Sequence, residues 1–180
     1  MDIVAHGLWV GMGLAAAARH RAIARRTAAW TVGLALAPDL VQMLPLLAVA
    51  LQPGGLGVLK DFALAVPGAE PALPAWVAMV SHHLHCTLHS AVVAAVVTGL
   101  SIWRLRAVWL PLWGWWSHIV IDVFTHSARF YPVPVLYPLS DAAFDGIAWN
   151  TPWFLLVNYL ALLVAGAALW FTRRRRMEDG

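Results

Sequence analysis

The chain has 180 residues, of which 61% are hydrophobic and only 12% charged, with a mean hydropathy of +0.71 and a formal charge of +3. Soluble domains are about 45–50% apolar and about 25% charged, so this composition excludes a disordered chain, a disulfide-built secreted scaffold and an ordinary soluble enzyme. Cys86 is the only cysteine and has no partner for an intramolecular disulfide.

A membrane-crossing helix needs about 20 mainly apolar residues. Residues 3–18 form a first apolar stretch that is marginal for a full crossing. Its basic patch follows it, whereas a secretion signal carries its charge in front, so it reads as a retained helix. Four longer apolar stretches come next: 27–51, 75–103, 107–126 and 152–171. Pro38 within the first of these is expected to kink it beside Asp39. The connection 52–74 is rich in Gly and Pro and has room for a short surface helix. The connection 127–150 is dense in Pro and aromatics, which favours extended backbone over helix. The expected fold is an all-α integral membrane protein, one domain over 1–180. It is a compact bundle of four transmembrane helices plus the N-terminal apolar helix.

Of the 12 basic residues, all but Lys60 are Arg, and most lie in patches flanking the apolar runs. The patches are Arg19 to Arg26, Arg104 with Arg106, and Arg173 to Arg176. Placed by the positive-inside bias, all three are cytoplasmic. The two other connections set Lys60 and Arg129 against Asp61, Glu70, Asp141 and Asp145, and face outward. This predicts a multi-pass protein of a bacterial-type inner membrane, with the C-terminus cytoplasmic. No nucleic-acid partner is expected, because the Arg patches mark topology. The eleven Trp suit a chain with much surface at a lipid–water boundary.

Ionisable groups inside apolar spans cost about 2.5–3.5 kcal/mol each on insertion scales, so they are functional candidates by default. Here they are His6, Asp39, His82, His83, His85, His89, His118, Asp122 and His126. No Lys or Arg accompanies them in the span interiors, and imidazoles with carboxylates lacking a buried cation suggest a metal ion. His118, Asp122 and His126 recur at i, i+4, i+8, and His82, His85 and His89 at i, i+3, i+7, each set on one helix face. His85-x-x-x-His89-Ser90 also echoes Asp122-x-x-x-His126-Ser127. Counted from the nearest cytoplasmic Arg, His6, Asp39, His89, His118 and Asp122 fall at about 18–24 Å, in one layer of a core about 30 Å thick. His126 lies higher, near the outer surface.

His6-Gly7, Pro38-Asp39, Leu88-His89-Ser90, His118-x3-Asp122-x2-Thr125 and the run HIVIDVFTHSARFYPVPVLYPLSDAAFDGIAW resemble the YdjM-like family of membrane-bound, metal-dependent hydrolases. The resemblance spans residues 6 to about 153 and implies that His6, Asp39, His89, His118 and Asp122 are metal ligands. Where many members carry an HRG-x-THS-type run, this chain has HHLHCTLHS, which leaves the roles of His82, His83 and His85 open. The His-x3-Asp spacing is also similar, more weakly, to zinc phospholipase C and P1-type nucleases.

The expected function is a metal-dependent hydrolase using one or two zinc ions to activate water. It would cleave a phosphoester of a membrane lipid or lipid-linked substrate at the outer leaflet. The expected metal set is His6, Asp39, His85, His89, His118, Asp122 and His126, with Asp122, His126 and Asp39 also catalytic. Tyr131, Tyr137, Asp141, Asp145 and Trp149 would form its rim. Three other readings stay open: a ceramidase-like zinc amidase with Ser90 or Ser127 as an extra polar group, a metal transporter or metal-binding subunit, and a purely structural bundle. The amidase superfamily usually has seven spans against the five segments here. Oligomeric state is not encoded in any feature we recognise.

Overall fold

A computed structural model describes residues 1–66 and 71–178, with residue 63 and residues 175–178 described by backbone only. Glu70 of the acidic outer loop, and the side chains of Arg175 and Arg176, lie outside the described residues. Every regular element among them is helical: α1 (Ile3–Ala17), α2 (Arg25–Gln42), α3 (Leu44–Ala50), α4 (Gly55–Ala63), α5 (Ala75–Leu88), α6 (Ala91–Leu105), α7 (Leu112–Thr125) and α8 (Pro152–Glu178). The all-α expectation holds, including the short helix in 52–74, which is α4.

The expectation of four transmembrane helices is corrected. Among the described residues, one helix alone is long and apolar enough to cross a membrane: α8, over Pro152–Arg174, with mean hydropathy 2.1. The stretch 27–51 breaks at Met43 into α2 and α3, bent by 54°. The stretch 75–103 breaks at His89–Ser90 into α5 and α6, bent by 57°. If each bent pair makes one crossing, the number rises to three. The stretch 107–126 becomes helical only after Pro111, and its 14 residues reach about 21 Å, short of a 30 Å core.

The breaks have local causes. Pro45 stands in the first turn of α3, where its missing N–H costs nothing. Ser90 caps α6, its Oγ accepting from Val93 N at 3.1 Å and donating to Tyr137 O. Ser90→Ala is therefore expected to cost about 1–2 kcal/mol, read by thermal unfolding in detergent. Pro38, where a kink was expected, is carried inside α2, and the bend comes five residues later.

Packing centres on α2, which lies against α1, α5 and, most extensively, α7. Gly114 permits that last approach: a Cβ there would lie 1.9 Å from Thr31 O and 3.1 Å from Ala35 N. The helix α8 packs on α1, tied by Trp9 Nε1 to Asn158 Oδ1 at 2.9 Å, Tyr159 Oη to Asp2 Oδ1 at 2.9 Å and Arg19 to Leu169 O at 2.9 Å. Its outer face is bare, with Leu163 70% and Val164 69% exposed. Large apolar side chains are also exposed on other helices, among them Trp30, Trp76, Leu100, Trp103 and Trp113.

The segment 126–151 is non-helical, as its prolines predict. It turns back on the end of α7: Gly146 N donates to His126 O (2.9 Å), Ile147 N to Phe124 O (3.0 Å) and Trp149 N to Thr125 O (2.9 Å). Phe130 and Val133 are buried within it, which pins the segment across one end of the helices.

Candidate metal centre

Three elements deliver four polar side chains to one buried point. Asp39 comes from the last turn of α2, His89 from the C-terminal cap of α5, and His118 and Asp122 from successive turns of α7. One donor atom of each lies within 4.8 Å of all the others. His89, His118 and Asp122 are fully buried and Asp39 is 6% exposed. The levelling of these residues in one layer is thus matched by convergence in space.

The distances suit a small divalent ion. His89 Nε2 and His118 Nε2 are 2.9 Å apart, and they lie 3.2 and 3.0 Å from Asp122 Oδ2. Asp39 Oδ1 stands 3.6 Å from His89 Nε2 and 3.8 Å from His118 Nε2. Tetrahedral donors at about 2.0–2.1 Å from zinc are about 3.3–3.4 Å apart, a value these distances bracket.

Protonation adds a second argument. His118 Nδ1 is 2.7 Å from Ala35 O and His89 Nδ1 is 2.8 Å from His85 O. A carbonyl accepts only, so both Nδ1 atoms carry hydrogen, and a neutral ring then presents a bare lone pair at Nε2. Two such lone pairs face each other at 2.9 Å, beside a buried Asp122 Oδ2 that makes no hydrogen bond. Lone pairs and a carboxylate oxygen in contact repel unless a cation, a proton or a metal ion, sits among them. The donor set therefore fits a metal ion.

On the other oxygen, Asp122 Oδ1 meets His6 Nε2 at 2.9 Å, His126 Nε2 at 3.5 Å and Thr125 Oγ1 at 3.4 Å. The α-amino group of Met1 also contacts Asp122 Oδ1 and lies 3.1 Å from His126 Nε2. His6 stacks on His118 with ring centroids 3.9 Å apart. His126 caps α7 with an extended backbone, so it leaves the helical face the i, i+8 spacing assigned to it.

His85, expected as a ligand, brings no donor to the group. Its Nδ1 is 2.7 Å from Gln42 Oε1 and its Nε2 is 3.0 Å from Pro132 O. His85 and His89 do stand side by side, with ring centroids 4.2 Å apart, but the nitrogens of His85 are turned to Gln42 and Pro132. His82 and His83 are exposed, and Cys86 is buried with its Sγ 3.6 Å from His82 Nε2. Gln42 was not anticipated: its Nε2 donates to Asp39 Oδ1 at 3.0 Å, linking His85 to the carboxylate. Its position three residues after Asp39, one helical turn away, was the available signal.

A cavity of about 240 Å³ opens beside the group. Asp39 and His126 lie on its wall together with Tyr131, Phe62, Phe130 and Trp149. Of the expected rim, Tyr131 and Trp149 line this cavity. Asp145 instead accepts from Ala128 N at 2.8 Å, and Tyr137 and Asp141 line a separate cavity with His82 and His83. Ser90, offered for the amidase reading, is spent on capping α6. The echo between His85–Ser90 and Asp122–Ser127 has a structural counterpart, since His89 and His126 both cap the C-terminus of a helix.

Comparison with known proteins finds no match: no family model covers the chain, and no curated protein or solved structure is significantly similar to it.

Proposed function

We propose that the protein is a multi-pass membrane hydrolase in which Asp39, His89, His118 and Asp122 hold a zinc ion, acting on a phosphoester of a lipid or lipid-linked substrate at the outer leaflet. The observation that carries this reading is the buried opposition of His89 Nε2, His118 Nε2 and Asp122 Oδ2, which a cation must reconcile. The motif order resembling the YdjM-like hydrolases points the same way. A bound zinc supplies Lewis acidity and an acidified water at neutral pH.

The chain's own residues do the rest. Backbone carbonyls of Ala35 and His85 hold the two imidazoles in the ligating tautomer. Gln42 fixes Asp39, which belongs both to the donor group and to the cavity wall and so is placed to take up a proton leaving the attacking water. Phe62, Phe130 and Trp149 make the cavity apolar around that polar end, which suits a headgroup ester carried on a hydrocarbon. The exposed apolar side chains on most of the helices support embedding in lipid with the two bent pairs as broken spans. Irregular backbone at membrane depth is tolerated where it is buried in protein, as at His89–Ser90.

The test is elemental analysis of detergent-purified protein, followed by release of phosphate or headgroup from lipid phosphoesters. About one or more zinc per chain with zinc-dependent turnover is expected. Because imidazole must be neutral to bind, the metal is expected to leave on acidification. Protein that stays folded and metal-free at neutral pH in zinc-containing buffer overturns the reading.

A further inference from the structure

We propose that His82, His83 and Cys86 of α5, with Asp141 of the Pro-rich segment, bind a thiophilic divalent ion such as zinc and so fasten that segment onto α5. No donor is shared with Asp39, His89, His118 and Asp122, so the inference stands whatever the buried group holds. It gives a use to the HHLHC run, whose first two histidines the proposed reaction leaves idle.

His82 and Cys86 are one helical turn apart, at i and i+4, which sets them on one face of α5. Cys86 Sγ stands 3.6 Å from His82 Nε2 and 3.8 Å from His82 Nδ1. A thiolate about 2.3 Å and an imidazole nitrogen about 2.0–2.1 Å from a tetrahedral zinc are about 3.5–3.6 Å apart, so this pair already has ligand spacing. The His82 and His83 rings have centroids 5.8 Å apart, against about 5 Å for two imidazoles on one tetrahedral ion.

All four side chains line one cavity of about 310 Å³, Cys86 buried and the other three exposed. Pro132, Pro134 and Tyr137 line it too, which brings the segment carrying Asp141 over α5. Asp141 is near enough for its charge to act on the Cys86 sulfur. The donors are neighbours but not yet gathered. His83 Nδ1 lies 3.5 Å from Tyr137 Oη, at the limit of a hydrogen bond, so little holds its ring from turning inward. Exposed Asp141 has the same freedom. A thiolate, two imidazoles and a carboxylate select zinc over magnesium or calcium. Four protein ligands from two elements make a closed set, the pattern of an ion that holds structure together.

Full-length protein in detergent, stripped with chelator and kept reduced, tests this by titration with Co(II) followed by absorption. A thiolate on cobalt gives a near-ultraviolet charge-transfer band that imidazole and carboxylate do not. Cys86 is the only cysteine, so the band reports this site alone. Wild type is expected to develop the band with the amplitude of one thiolate per chain and to lose it on addition of zinc. Cys86→Ser is expected to show no band, and His82→Ala to need at least about 10-fold more Co(II) to develop it. Absence of the band in wild type at saturating Co(II) overturns the site, and cobalt bound without it belongs to the buried group. A band unchanged in His82→Ala overturns the ligand assignment. The wild-type spectrum decides the matter even if a variant misfolds.

Discussion

Asp122→Asn is expected to remove bound metal and also to leave the metal-free protein less stable than its metal-free parent. Asp122 is the residue on which both imidazole pairs converge, and it is fully buried. Loss of a charged ligand at the centre weakens metal affinity by at least about 100-fold, since outer-shell changes alone cost 10–100-fold. Binding at 1,000 times Kd contributes about 4.1 kcal/mol to the folded state, and that linkage disappears in the variant. Without metal the variant is weakened as well. The Asp122 carboxylate is paired with the buried α-amino group of Met1 and meets His6 Nε2 at 2.9 Å, and removing one partner of a buried ion pair costs about 3–5 kcal/mol. Thermal unfolding in detergent, with and without added zinc, separates the two effects. Full metal content in the variant removes Asp122 from the centre.

Gly114→Ala is expected to abolish metal binding with every ligand still in place. The added Cβ would lie 1.9 Å from Thr31 O, and a backbone carbonyl has no rotamer by which to yield. The helix α7 must then move off α2. His118 Nδ1 depends on Ala35 O of α2, and Asp39 of α2 faces His118 and Asp122 of α7 across the same seam. A shift of about 1 Å exceeds the tolerance of about 0.2 Å in ligand distance. Overpacking of this kind costs about 1–3 kcal/mol before the lost metal is counted. Gly99→Ala in α6 is the control: nothing lies within 4 Å of its Cβ, and a small gain in stability is expected. Parental melting and metal content in Gly114→Ala would show the close crossing to be slack.

The members of the site were legible because burial of charge in apolar sequence is costly, and the depth count brought His6, Asp39, His89, His118 and Asp122 to one level. What failed was the assumption of continuous helices. The polar residues at the breaks, Gln42 beside Met43 and His89 beside Ser90, are flanked by apolar runs long enough that hydropathy averaged over a span did not register either break. The small signals were Pro45, a helix-starting residue, and Ser90, a capping residue. His85 stays beside His89, but both of its nitrogens are engaged by Gln42 and Pro132, so the ligand set loses His85. The 107–126 stretch failed for a related reason, since Pro111 delays the helix and leaves it too short to cross. The carbonyls of Ala35, His85 and Tyr131, which meet Nδ1 of His118, His89 and His126, could not be read at all, because every residue has one and only the fold selects which three are used.

Those three carbonyls bear on which ions the buried group could hold. Magnesium is abundant, but it keeps several of its waters and prefers oxygen at about 2.0–2.1 Å in an octahedron. A fully buried pair of imidazoles whose hydrogens are tied to the main chain offers two nitrogens at fixed positions, which matches neither preference. Calcium, which seeks six to eight oxygens, is excluded on the same grounds. Discrimination against the commonest divalent ions at this group would therefore be written in main-chain atoms, which no side-chain substitution at Ala35, His85 or Tyr131 removes directly. Backbone geometry would serve as the filter, and the side chains around it would express it.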